Sequence, residues 1–221
     1  MRGKIIDFEG IDGTGKSTQV RLLNKYLAKK KRKFSQFKFP QYQATFHGKT
    51  ISKFLRGDFG AINDVSPYLI SLAYAMDRVT AREAIFDDLN DGKIVVADRY
   101  APSNKAHQAA KLIEPKRAAF LSWLDELDYK VNKMPREDYV VLLDMTVETS
   151  FQLLKKIPRK KDIHESEQPY LEEARKVYLK LAASERNHWL VINCIDGQGK
   201  LKSRQTIHRE IVALLEKKHI I

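Results

Sequence analysis

Four apolar runs punctuate the chain: Lys4–Glu9 (KIIDFE), Lys93–Asp98 (KIVVAD), Tyr139–Asp144 (YVVLLD) and Trp189–Cys194 (WLVINC). Their length and β-branched content are those of strands buried on both faces. A fifth segment, Lys33–Phe39, reads as a strand that stops at Pro40, which cannot donate to a central ladder. Between these runs apolar residues recur at helical spacing. Lys16–Lys30 places Val20, Leu23 and Leu27 on one face, and Thr45–Leu55 ends near Gly57. Ser66–Leu89 reads as one long helix, with Ser66 as its N-cap and Pro67 at the favoured first position. Further helices are predicted over Ser103–Lys111, Lys116–Leu127, Thr146–Lys156, Tyr170–Ala183 and Arg204–Lys217. Strands alternating with helices predict an α/β fold, a five-stranded parallel sheet flanked by helices on both faces. No linker divides the chain, so residues 1–221 are read as one domain; only Ile157–Gln168 is polar with weak periodicity. In open parallel sheets ligands bind beyond the carboxyl ends of strands. Chemistry is therefore sought just after Glu9, Phe39, Asp98, Asp144 and Cys194.

Composition narrows the class without choosing a function. Hydrophobic residues at 43% and charged residues at 31% describe a globular chain rather than a disordered one. The formal charge of +12 favours anionic partners: nucleotides, nucleic acid or an acidic membrane face. Part of the excess lies in Lys29–Lys33, where cations complement the end of the first helix, and part in Arg159–Lys161. No run approaches the ~18 apolar residues of a membrane span, and no RNA-binding or zinc pattern occurs. Cys194 is the only cysteine, which fits a reducing cytoplasm.

The most specific local signal is Gly10-Ile11-Asp12-Gly13-Thr14-Gly15-Lys16-Ser17, followed by Thr18. It matches G-x-x-x-x-G-K-[S/T], directly after a predicted strand and opening a predicted helix. Glycines let successive N–H groups curl around a phosphate, and the helix adds its positive end. Lys16 is placed to reach the β- and γ-phosphates, and Ser17 to ligate Mg²⁺. A dinucleotide fingerprint fails, because Gly13-Thr14-Gly15 has no third glycine after it. Ile195-Asp-Gly-Gln-Gly-Lys200 echoes the loop but lacks its first glycine and its serine, and is read as a turn.

The acceptor is suggested by a wider likeness. Phe8–Thr18, Phe39-Pro40-Gln41-Tyr42, Leu72-Ala73-Tyr74-Ala75-Met76-Asp77-Arg78 and Asp98-Arg99-Tyr100, with Ser103-Asn104 and Ala106-His107-Gln108, together resemble the thymidylate kinase family over nearly the whole chain. The resemblance implies a P-loop NTP hydrolase-like fold with a short lid at about 157–168. It also implies ATP with Mg²⁺, thymidine monophosphate (dTMP) as acceptor, and a homodimer. Tyr74 and Arg78 share a helix face. Spacing alone fits a core tyrosine and a surface arginine; the resemblance makes them the ring that stacks on the base and the donor to thymine O4. It places Asp12 near metal and phosphates, Asp98 on Mg²⁺ or its waters, and Arg99 on the acceptor phosphate. The plainer alternative for Asp98 is a strand-end ion pair with no catalytic role. Phe39, Tyr42, Ser103, Asn104 and His107 fall in the acceptor site, although Phe39 also suits the core. His107 stands where many members have tyrosine, and Gln41 where some have arginine. Arg159 leads the lid cations Arg159, Lys160 and Lys161 as the group acting on the transition state, and Glu165 and Glu167 remain alternatives for approaching acceptor or metal.

An acceptor that is already a phosphate dianion needs no general base. A nucleoside acceptor does, and Glu9 would then supply it. The alternatives are a broader pyrimidine monophosphate kinase, a deoxynucleoside kinase, or a P-loop regulatory protein. Asn132-Lys133-Met134-Pro135 echoes the guanine motif N-K-x-D but ends in proline.

Overall fold

A computed structural model describes residues 2–155 and 168–221. Its strands are β1 (Lys4–Glu9), β2 (Phe34–Lys38), β3 (Ile94–Asp98), β4 (Tyr139–Asp144) and β5 (Trp189–Asn193). All pairings are parallel, in the order β2-β3-β1-β4-β5. The chain leaves β1 towards β2 and β3 and later returns to the other side for β4 and β5. The winding therefore reverses at β1, whose carboxyl end is the expected ligand crevice.

Alternation along β1 sorts its side chains. Ile6 and Phe8 face a core with Val20, Leu23 and Leu27 of α1 (Lys16–Lys29) and Ile211 and Leu215 of the C-terminal helix. Ile5 faces the other layer with Val95, Ile85, Leu89 and Tyr100. Asp7 and Glu9 share that second face, and both are fully buried.

The predicted long helix is two. After α2 (Phe46–Leu55), α3 covers Pro67–Val79 and α4 covers Arg82–Asn90. The break has a local cause: the Thr80 hydroxyl donates to the Asp77 carbonyl at 2.7 Å, competing with the helical ladder. Ser66 is the N-cap residue, as expected, but its side chain makes no capping bond. Next come α5 (Ala101–Ala109) and α6 (Lys116–Asp125). The expected continuation of α6 to Leu127 becomes a π-helical turn, Glu126–Val131. The remaining helices are α7 (Val147–Leu154), α8 (Gln168–Ser184) and α9 (Arg204–Lys217). The 195–200 echo is a turn, as expected, with Asp196 Oδ1 accepting from the Gln198 and Lys200 N–H groups. Most of the expected lid, with Arg159, Lys160, Lys161, Glu165 and Glu167, lies outside the described residues. Among the described residues no helix is long and apolar enough to cross a membrane.

Candidate active site

The glycine-rich loop takes a conformation that side chains resist. Gly10 lies at φ 140 and Gly13 at φ 82. A Cβ on Gly10 would meet the Leu143 carbonyl at 2.7 Å, and one on Gly13 the Ser150 carbonyl at 2.9 Å. The loop is thus wedged between β4 and α7, and the Ser150 hydroxyl holds the Asp12 carbonyl. Gly15 caps α1, and Thr18 N–H donates to its carbonyl at 3.0 Å. Thr14 donates to the Ile11 carbonyl at 3.0 Å, closing the turn.

Lys16 is buried inside this loop. Its Nζ donates to the carbonyls of Gly10 at 2.9 Å and Ile11 at 2.8 Å. Burial, reinforced by the Arg99 charge, pushes its ammonium down to about 8. A polyanion in the loop would reverse that bias. Ser17 donates to Asp98 Oδ2 at 2.5 Å, across the seam between α1 and β3. Lys38 at the end of β2 lies 3.6 Å from the same oxygen. Of the three candidate metal-binding residues, Ser17 and Asp98 therefore meet directly. Asp12 instead pairs with Arg99. A hydroxyl and a carboxylate are hard oxygen donors, suited to a Mg²⁺ that completes its shell with phosphates and water. Among the described residues no cluster of three His, Cys, Asp or Glu side chains offers a full protein cage.

Arg99 is the junction of the site. Its backbone, at φ 71, occupies the left-handed region that disfavours side chains, and its N–H donates to the Phe8 carbonyl at 3.2 Å. The guanidinium reaches Asp12, donates to Ser103 Oγ at 2.9 Å and lies 3.2 Å from His107 Nε2. Tyr170 gives its hydroxyl hydrogen to the His107 carbonyl at 2.9 Å while lying 3.2 Å from Nδ1. Nδ1 is then the donor to Tyr170, and Nε2 the acceptor from Arg99.

A cleft runs from Asp12 and Arg99 past Phe39, Pro40 and Tyr42 to Tyr74, Arg78 and Asn104. All the acceptor-site candidates line it, including Ser103 and His107. Phe39 satisfies both of its readings. It is buried against Tyr100, with ring centroids 6.0 Å apart, and still forms wall. Gln41 turns away, its amide donating to the Asp77 carbonyl at 3.0 Å and to Thr80 Oγ1 at 2.8 Å. Asp77 in turn accepts from Gln41 N–H at 2.8 Å and from the Thr45 hydroxyl, so α3 fixes the loop that carries Tyr42.

Two residues take roles in the site that the sequence did not give them. Gln108 is fully buried, lines the cleft, and has neither amide atom bonded among the described residues. With the unpartnered Asn104 Oδ1 and Arg78 Nε, it offers donors and acceptors to a flat heterocycle edge. Glu9 was read only as a base for a nucleoside acceptor. It accepts from Tyr100 N–H at 3.0 Å, Ser103 Oγ at 2.6 Å and Tyr178 OH at 2.7 Å. Burial and Glu9 itself push the Tyr178 phenol well above its ordinary value, so it remains a donor. Glu9 is a scaffold for the Arg99 side of the site. The signal for it was present in sequence: carboxylates at alternate positions of an apolar strand.

Asp7, beside Glu9, carries a testable consequence. Burial first, and then Glu9, raise its carboxyl well above 3.8. The folded state then binds more protons than the unfolded chain above that value. The stabilisation is complete at low pH and is lost as pH rises through the raised value. Asp7→Asn, which cannot ionise, is expected to raise the melting temperature more near pH 8 than near pH 4. An equal shift at both would remove Asp7 from the pH dependence.

A glycine loop between β1 and α1, in a sheet of this order with a carboxylate ending β3, defines a phosphate-loop nucleotide-binding protein. The family model described as thymidylate kinase matches residues 8–211. The thymidylate kinase of Bifidobacterium longum subsp. infantis is 33% identical over 222 residues, covering 96% of this chain and 91% of that protein. A probable thymidylate kinase of Thermococcus gammatolerans is 33% identical over 219 residues, covering 97% and 96%. Among solved structures, thymidylate kinase from Candida albicans superposes with a TM-score of 0.79 at 21% identity, covering 99% of this chain and 93% of that one. The chain belongs to the thymidylate kinase family, whose members are nucleoside monophosphate kinases.

Proposed function

We propose that this protein transfers the γ-phosphoryl group of ATP to dTMP, giving dTDP and ADP. The observation that carries the reading is one continuous cleft. Its phosphate end is built by Asp12 and Arg99 beside the glycine loop, and its far end by Tyr74, Arg78, Asn104 and Gln108. In the proposed pose Gly10–Thr18 cradle the ATP phosphates, and Lys16 leaves the loop carbonyls for the β- and γ-phosphates. Arg99 takes the acceptor phosphate in a forked contact. Tyr74 stacks on the base while Arg78 and Asn104 meet its edge. Phe39, Tyr42, Ser103 and His107 shape the pocket between. Ser17 and Asp98, with Asp12 nearby, would hold Mg²⁺, which when bound neutralises phosphate charge.

The chemistry asks for positioning and charge neutralisation rather than proton abstraction. An acceptor phosphate with a second pKa of ~6 is mostly dianionic at neutral pH. Glu9 fits no role as base, since its oxygens already accept from Tyr100, Ser103 and Tyr178. This favours a monophosphate acceptor over a nucleoside. The segment 157–168 is proposed as the lid, with Arg159 as its transition-state cation. Arg159→Ala is expected to lower kcat by roughly 10³-fold or more with little change in acceptor KM. Turnover at the parent rate would exclude it.

Homodimerisation finds support in α3, which presents Leu69, Leu72 and Met76 at 68%, 41% and 38% exposure along one face. Sedimentation equilibrium reads it directly. A cytoplasmic location is consistent with the single, buried cysteine.

The deciding experiment is MgATP-dependent ADP release with dTMP, dUMP, UMP, dCMP, dGMP and thymidine offered separately. Preference for dTMP is the expected result. Equal use of UMP would make the protein a broader pyrimidine monophosphate kinase, with His107 as the first residue to examine. Turnover with thymidine would overturn the mechanism, because a base would then be required.

A further inference from the structure

Arg78 is 2% exposed and lies in the wall of the cleft. Its Nη2 donates to both carboxylate oxygens of Asp128, at 2.7 and 2.9 Å, and Asp128 is fully buried. Nε has no partner among the described residues. Asp128 comes from the π-helical turn Glu126–Val131, a rare geometry that is frequent at functional sites. The turn is pinned from behind. Met134 N–H donates to the Asp128 carbonyl at 2.9 Å, and Asn132 N–H to the Leu127 carbonyl at 2.9 Å. The carboxylate therefore has a fixed address that α6 alone would not give it.

We propose that Asp128 is a positioning residue that, through Arg78, makes the acceptor site select a base with a ring carbonyl over one with an amino group at the same place. The inference rests on the proposed dTMP function and on Arg78 meeting the base edge. Arginine offers donors only, in a rigid plane. Asp128 holds one corner of that plane, so the directions of the remaining donors are fixed. It also cancels the buried charge, which would otherwise draw Arg78 towards any acceptor within reach. A carbonyl oxygen then completes the donor set. An amino group leaves buried donors facing donors, which is where strong discrimination arises. Nothing here requires Asp128 to touch the substrate.

The test compares kcat and KM for dTMP and dCMP in the parent, Asp128→Asn and Asp128→Glu, with melting curves alongside. Asp128→Asn is expected to raise the dTMP KM by about 10–100-fold, the scale of one charge-assisted hydrogen bond. kcat should stay within about threefold, and the dTMP/dCMP preference should fall by about tenfold or more. If Asp128→Asn does not fold, Asp128→Glu carries the test. It keeps the charge but displaces it by a methylene, so the same loss of preference is expected in a folded protein. An unchanged dTMP/dCMP ratio in whichever variant folds overturns the inference. So do equal losses for both acceptors through kcat, the mark of a merely structural role. A parent enzyme with no preference for dTMP would instead sink the proposed function. A parental preference that survives substitution of Asp128 sinks this inference alone.

Discussion

Lys16→Met is expected to lower turnover by about 10²–10³-fold and to raise the melting temperature in the same sample. The first effect follows from removing the one cation that lies within the glycine loop. The second follows from what that cation costs in the folded chain. Its ammonium is pushed from 10.5 down to about 8, chiefly by burial. Between these values the unfolded chain binds the proton that the folded one releases. The penalty is therefore full below about pH 8 and fades as pH rises towards 10.5. A shift of that size corresponds to about 3 kcal/mol, offset in part by the two carbonyls left without a donor. For a chain of this length a gain of a few degrees near pH 7 is expected, vanishing near pH 10. Paired activity and melting measurements decide it. A variant less stable than the parent at neutral pH would show that the loop needs Lys16 for its own structure.

Arg99→Met is expected to damage both properties. It removes the ion pair to Asp12 and takes away a cation 3.9 Å from the fully buried Glu9. Breaking a half-buried, charge-assisted pair from one side costs about 1–3 kcal/mol, or several degrees here. Loss of the forked phosphate contact should lower kcat/KM by about 10²–10³-fold. Arg99→Lys separates the two effects. It restores charge to the pair but not the planar fork. Recovery of the melting temperature without recovery of kcat/KM is the expected pattern. Parent-level kcat/KM in Arg99→Lys would show that Arg99 acts as a point charge.

The phosphate loop was legible because its physical demands are local: glycines where φ is positive, lysine and serine at the helix start. The five strands were legible because burial on both faces leaves apolar runs. The acceptor pocket was reached only through resemblance. The helix spacing of Tyr74 and Arg78 by itself fits a core tyrosine and a surface arginine rather than a base site. What stayed hidden depends on partners far along the chain. Glu9 is held by Ser103 and Tyr178, 94 and 169 residues away. The break at Thr80 has no glycine or proline to announce it; its hydroxyl bonds to the Asp77 carbonyl and receives the Gln41 amide. Asp128 lies one residue past the predicted helix Lys116–Leu127, and only the π turn reveals that it reaches inward.

The position of β1 in the sheet also matters while the chain is being made. β1 precedes the other four strands of its sheet in the chain and is the middle one in space, pairing with Ile94–Asp98 on one side and with residues 139–142 on the other. At roughly 5–20 residues per second it waits on the order of ten seconds for its second neighbour. Throughout that interval an apolar strand with two open edges would be a template for self-association. Asp7 and Glu9, which burial in the finished sheet disfavours, put two carboxylates into that six-residue segment while it is still in water. Of these two carboxylates Glu9 supports Arg99 in the mature site, and both are charges of the kind that keep an unpaired apolar strand from self-association.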